Sequence, residues 1–191
     1  MGTVDNASNK SRFVELCKST QREGMDELLD WLEKTDFFVA PASTKYHGAY
    51  EGGLLQHSLS VYDEFKRLQT AYPDIDAPED SVIISTLFHD FCKIDMYATY
   101  KRNVKNEESG KWEQVNAYKH DEKFCFGGHG SKSVYLVQHF IKLKPMEAVA
   151  INCHMSCWQG DTTVGSAFES FPFAWLVHVA DEGSSYLREK D

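Results

Sequence analysis

The sequence predicts a mainly α fold in a single domain spanning 1–191, with one small β-hairpin insertion. Three observations predict it. Apolar residues recur at helical spacing along most of the 191 residues. Prolines and glycines punctuate those stretches near their ends. One region, 96–121, alternates in the manner of strands instead.

Two helices are expected first, in an N-terminal extension over 1–35. In the second, Met25, Leu28, Leu29 and Leu32 share a face. A loop around Pro41 runs to Gly52-Gly53. The third helix spans about Leu54 to Tyr72 and stops before Pro73. Leu54, Val61, Phe65 and Leu68 form its stripe, and His57 lies on that stripe, so it faces inward. Pro78 suits the first turn of a fourth helix. That helix carries Val82, Ile83, Leu87, Phe91 and Ile94, and places His89 and Asp90 near its C-terminal end. Two alternating runs, from Tyr97 to Val104 and from Trp112 to Tyr118, flank a Gly110-containing turn and make the hairpin. Ser131 reads as the N-cap of a helix to about Leu143. Pro145 opens another reaching His154, and a last helix covers roughly Phe173 to Arg188. The plan is six or seven helices.

Composition narrows the function. At 42% hydrophobic and 26% charged the chain is ordinary for a globular protein. Its formal net charge is -9, which disfavours generic binding to long nucleic acid or anionic membrane. A phosphate-bearing substrate therefore needs a local basic or metallic site. No stretch is apolar enough to span a bilayer, and Met1 to Lys10 lacks the apolar core of a signal peptide. Five cysteines, Cys17, Cys92, Cys125, Cys153 and Cys157, fit reduced thiols and a cytoplasmic location.

Single histidines mean little, since a lone His on an apolar stripe is commonly a hydrogen-bonded core residue. Their arrangement here says more. His89 and Asp90 are adjacent at a helix end, and His57 faces inward from the preceding helix. Asp181 sits among Val177, Val179 and Ala180, where a carboxylate is costly without a partner. A shared cation would remove that cost.

With Gly52-Gly53-Leu54-Leu55-Gln56-His57, Leu87-Phe88-His89-Asp90-Phe91-Cys92-Lys93 and His178-Val179-Ala180-Asp181 in this order, the chain resembles the histidine-aspartate (HD) domain metalloproteins over about 45–188. The resemblance implies an HD-domain helical bundle in which His57, His89, Asp90 and Asp181 hold a metal. It implies a phosphohydrolase that cleaves a phosphomonoester or phosphodiester with metal-activated water, and makes Asp90 and Lys93 catalytic. His129 and His154 match positions that hold a second metal in binuclear members, although His154-Met155 stands where many of those have a His-His pair. His129 has another reading, as a residue ahead of a helix that binds substrate phosphate. Imidazole and carboxylate ligands suit one or two ions of Mn, Fe, Co, Ni or Zn. The same six residues also satisfy the ligand count of diiron HD oxygenases, and a non-catalytic nucleotide-binding module is a third alternative.

Lys93 follows His89 by four and Asp90 by three, so on a helix it shares their face. It suits stabilisation of phosphoryl oxygens, or simply complements the helix dipole. His47, Lys101, Arg102, Lys119 and Lys132 are candidate substrate contacts, with the hairpin as a wall or lid. The expected partner is a small phosphorylated substrate, such as a nucleotide or short oligonucleotide. The run Gly127 to Ser133 resembles a phosphate loop only superficially, since its spacing differs from G-x-x-x-x-G-K-[ST]. Cys125, His129, His154 and Cys157 compose a competing structural zinc set, and Trp112, Tyr118 and Trp158 are aromatic enough to stack a base.

Overall fold

The computed structural model describes residues 5–107, 109–156 and 163–189. Cys157 and Trp158 lie outside these residues. Eight α-helices and one two-stranded antiparallel sheet appear among them.

Helix α1, Asn6–Ser19, starts where the Asp5 carboxylate accepts the Ser8 N–H, satisfying one of the unpaired donors of a first turn. Helix α2 is Met25–Leu32, and its four expected stripe residues are all buried. The pair is no appendage. Phe13 and Cys17 of α1 are fully buried with Leu54, Leu55, Ile84, Leu87 and Phe88. Between α1 and α2, Arg22 donates to Glu147 at 2.7 Å and to the Lys142 carbonyl at 2.6 Å. Glu147 also accepts from Ser81 at 2.8 Å. This network ties the N-terminal segment to distant helices, so α1 and α2 of the expected extension 1–35 are part of the core.

Helix α3, Gly53–Gln69, is the shared wall. Leu54, Leu55 and Leu59 enter the first cluster, while Val61 and Phe65 enter a second with α8. Fully burying a side chain such as Phe65 contributes roughly 1.5–3 kcal/mol. Gly53 permits the start of α3 to touch the preceding loop, because a Cβ there would collide with the Gly48 carbonyl. Helix α4, Glu79–Phe88, is buried from Ser81 onward. Pro78 is its N-cap rather than its first helical residue. The chain then leaves the α-helix for a 3-10 turn, Phe91–Lys93.

Strands β1, Tyr97–Lys105, and β2, Trp112–His120, pair from Tyr97↔His120 to Lys105↔Trp112. The hairpin is nearly all solvated, with only Ala117 buried.

Helix α5, His129–Gln138, begins three residues earlier than an N-cap at Ser131 implies, and its N-cap is Gly128. A Cβ on Gly130 would meet the Asn152 backbone, so this glycine lets α5 abut the end of α6, Pro145–Cys153. Helix α7, Val164–Ser170, falls between the helix expected to end at His154 and the one expected from Phe173. Helix α8, Pro172–Gly183, is followed by a π-helical turn, Ser184–Arg188, where the sequence suggested one helix. No helix among the described residues is long and apolar enough to cross a membrane.

Candidate metal centre

Helix ends build the site. His57 lies one turn into α3, on its buried stripe. His89 is the C-cap of α4 and His154 the C-cap of α6. Asp90 has φ −103 and ψ 20, a sparsely populated region in which active-site residues are often found. That bend aims its carboxylate across the end of α4. Asp181 comes from the last turn of α8. All five are buried.

Their polar atoms converge. His57 Nε2 lies 3.2 Å from His89 Nε2, 3.2 Å from Asp181 Oδ1 and 3.5 Å from Asp90 Oδ2. His89 Nε2 is 3.5 Å from Asp90 Oδ2 and 3.8 Å from Asp181 Oδ1. His154 Nε2 is 3.5 Å from Asp90 Oδ1. The two oxygens of Asp90 thus serve different histidines. His57, His89 and Asp90 have donor atoms mutually close enough to hold a metal ion, and His47, His57 and Glu189 form a second such group.

The outer nitrogens decide which atoms face inward. His89 Nδ1 is 2.8 Å from the Thr86 carbonyl, and His154 Nδ1 is 2.7 Å from the Ile151 carbonyl. A carbonyl only accepts, so each Nδ1 carries the proton and each Nε2 offers its lone pair. His57 Nδ1 faces the Glu189 carboxylate at 3.1 Å, which requires the same tautomer. Such outer partners fix ring orientation and raise ligand basicity. His154 Nε2 is buried and makes no hydrogen bond among the described residues. A shared cation would satisfy it.

Electrostatics agree. Asp90, Asp181 and Glu189 supply three negative charges and Lys93 one positive, a net of two that a divalent cation neutralises. Burial pushes the His57 imidazole down, but Glu189 and Asp181 outweigh it and raise it to about 10. The field that favours a proton on Nε2 equally favours a metal there. Despite burial, Lys93 and the histidines hold Asp90 well below the usual carboxylate range, and His57, His89 and His154 do the same for Asp181. Glu189 falls to about 2, burial being outweighed by His57 and Ser184.

A cavity of about 510 Å³ opens on these ligands, lined by Asp90, Lys93, Asp181, His47 and His129. Larger spaces of about 570 and 710 Å³ lie away from the ligand set, and size alone would mislead. Lys93 Nζ donates to Asp90 Oδ2 at 2.6 Å, from the 3-10 turn rather than a helix face. His47 packs its ring 4.8 Å from that of His57, with Nε2 buried and without a hydrogen-bond partner among the described residues. Burial, reinforced by nearby His57 and Lys93, lowers it to about 4, so it is neutral at pH 7. His129 faces the cavity from α5, and its Nδ1 is 3.3 Å from Cys92 Sγ.

The other expected substrate contacts do not line this cavity. Lys101, Arg102 and Lys119 are exposed on the hairpin. Lys101 donates to Asn116 across the strands at 2.6 Å. Lys132 is buried and paired with Glu122 at 2.6 Å, a consequence of the earlier start of α5, which turns it inward.

Glu189 escaped the sequence reading. On a regular helix the position seven after Asp181 shares its face, and that position is Arg188. The π-helical turn adds a residue: Glu189 N–H bonds to the Ser184 carbonyl at 3.0 Å. Glu189 is thereby brought to His57, and Ser184 Oγ holds it at 2.7 Å. Arg188 turns to Glu64 instead, at 2.8 Å. His178, given no ligand role, has its Nδ1 2.6 Å from the His154 carbonyl.

The fold and site together define a mainly α protein whose buried histidine-aspartate cluster can hold a metal ion. Among curated proteins, the chain is similar to the dihydroneopterin 2',3'-cyclic phosphate phosphodiesterase of Methanocaldococcus jannaschii. The two are 24% identical over 155 residues, which is 78% of this chain and 53% of that relative. The chain thus spans about half the relative's length. No family model matches the chain, and no solved structure matches it.

Proposed function

We propose that the chain is a metal-dependent phosphohydrolase of the HD type that cleaves a phosphodiester of a small nucleotide-like molecule. The observation that carries the reading is the set of three imidazoles whose Nδ1 atoms are engaged as donors. Their Nε2 atoms meet Asp90 and Asp181 beside Lys93 at the floor of a cavity. The distant phosphodiesterase relative supports the same reaction class.

His57, His89, Asp90 and Asp181 hold the cation, one of Mn, Fe, Co, Ni or Zn. When bound, it supplies an acidified water and polarises a phosphoryl oxygen. On this reading His154 and His129 would hold a second ion together with Asp90. Lys93, already charged through Asp90, presents its ammonium to phosphoryl oxygens. Neutral His47, which also lines the cavity, supplies a hydrogen-bonding nitrogen to a substrate oxygen. Burial of His57, His89, Asp90 and Asp181 strengthens their hold on the cation.

Metal-stripped protein reconstituted with each of the five ions is assayed on bis(p-nitrophenyl) phosphate. Turnover that chelation removes and metal restores supports the reading. Stoichiometric metal with no hydrolysis of any phosphoester tested would overturn it. Turnover with Zn, which has no redox chemistry, separates hydrolysis from oxygen activation.

A further inference from the structure

A second cavity, of about 450 Å³, adjoins the first, and His129 lines both. Its floor is apolar, made by the buried Cys92 and Met96. Phe126 forms part of its rim although 41% of its surface is exposed. The exposure is organised. Phe126 stacks on Tyr135 with centroids 5.0 Å apart and planes at 28°, and Phe124 lies edge-on to Phe126 at 5.8 Å. Three aromatic rings that brace one another in solvent hold one face ready for a planar partner.

The charged pair of this cavity is Glu122 and Lys132, with His129 beside it. Lys132 is buried, and it donates to Glu122 Oε1 at 2.6 Å. Glu122 Oε2 has no hydrogen-bond partner among the described residues. The pair therefore offers a carboxylate acceptor beside an ammonium donor. A ring edge with an N–H next to a C=O, a lactam, matches that order. Guanine and pterins carry this edge, whereas adenine has no carbonyl.

We propose that this side cavity binds the heteroaromatic ring of the substrate through its lactam edge, while the phosphodiester lies at the metal centre. The proposal rests on the phosphohydrolase reading for its second half only. Phe126 stacks on the ring, Glu122 Oε2 accepts its N–H, and Lys132 donates to its carbonyl. His129, shared by the two cavities, marks where the sugar or side chain passes from ring to phosphate. Specificity then comes from residues 122–132, and the hairpin strands contribute none.

The metal-loaded full chain is assayed on cyclic phosphodiesters of guanosine and adenosine and on a ring-free alkyl cyclic phosphodiester. Guanosine is the expected preference. Phe126→Ala should lower kcat/KM for the guanosine ester by about 10-fold or more, the range of one lost base stack. The ring-free ester should stay within about twofold of wild type, as for distant independent sites. Glu122→Gln should narrow the guanosine-over-adenosine ratio, since the amide presents an N–H where the carboxylate accepted one. Equal losses on all three esters, or no base preference in the wild type, would overturn the proposal. Binding of unphosphorylated guanosine, followed by the Met96 methyl resonance, needs no turnover. A saturable shift in wild type that Phe126→Ala abolishes supports the ring site even if hydrolysis fails. No shift refutes it even if hydrolysis succeeds.

Discussion

The helix ends that meet at the site and the hairpin beside it are chain neighbours with opposite constructions. His89 and Asp90 precede Tyr97 by a few residues, and His120 precedes His129 by nine. Yet the ligands are buried and cross-linked by short polar contacts, whereas both strands face water along nearly their whole length. The helix ends are held by burial and by short polar contacts to one another. The hairpin is fixed mainly by its own ladder. Proximity in sequence to a site does not make a segment part of it.

The comparison breaks most sharply at Asp90. Asp90→Asn removes the one carboxylate that faces both histidine sets and releases Lys93 from its partner. Metal affinity should fall more than about 100-fold, beyond the range for outer partners, and turnover should vanish. Stoichiometric metal in this variant, by elemental analysis, would contradict the ligand assignment.

Next in size is Arg22→Ala. It leaves the buried Glu147 carboxylate without its guanidinium, at a cost of about 3 kcal/mol. Urea unfolding would measure the loss, and an unchanged midpoint would show that the N-terminal helices are dispensable after all. Glu189→Gln should keep the fold but weaken metal binding about 10- to 100-fold. Nitrogen shifts of His57 would report whether its tautomer has changed, and wild-type affinity would sink the orienting role.

The last two tests concern the hairpin. Shortening it between Lys101 and Lys119 should leave bound metal and turnover of a small phosphodiester within about twofold. A changed substrate profile would instead make the strand cations selective. Lys101→Ala removes one exposed hydrogen bond to Asn116 and should shift stability by no more than about 0.5 kcal/mol, readable as melting temperature.

Legibility in the sequence divides along the same line. Apolar periodicity located the stripes of α2 and α3, and the inward placement of His57 came with them. Alternation located both strands. Less legible were features set by contacts across the chain. Helix α1 carries few apolar residues, so nothing local shows that Phe13 and Cys17 are core. The bond from Arg22 to Glu147 joins residues 125 apart. Ser131 has the right chemistry for a cap, but close packing of Gly130 on α6 starts the helix earlier. Lys132 then turns inward, and Glu189 reaches His57 through an irregular turn that helical counting excludes.

That turn makes the site sensitive to chain length as well as to residue identity. Each residue added to a helix rotates the chain beyond it by about 100°, so an alanine inserted between Ser185 and Tyr186 should swing Glu189 away from His57. Deleting the exposed Leu187 does the reverse of harm. With the π-helical turn relaxed to an α-helix, the glutamate lies seven residues from Asp181 and returns to nearly the same face. Insertion and deletion at one surface point should therefore act unequally, and a family tree of such proteins could gain or lose the bulge while keeping its carboxylate in place.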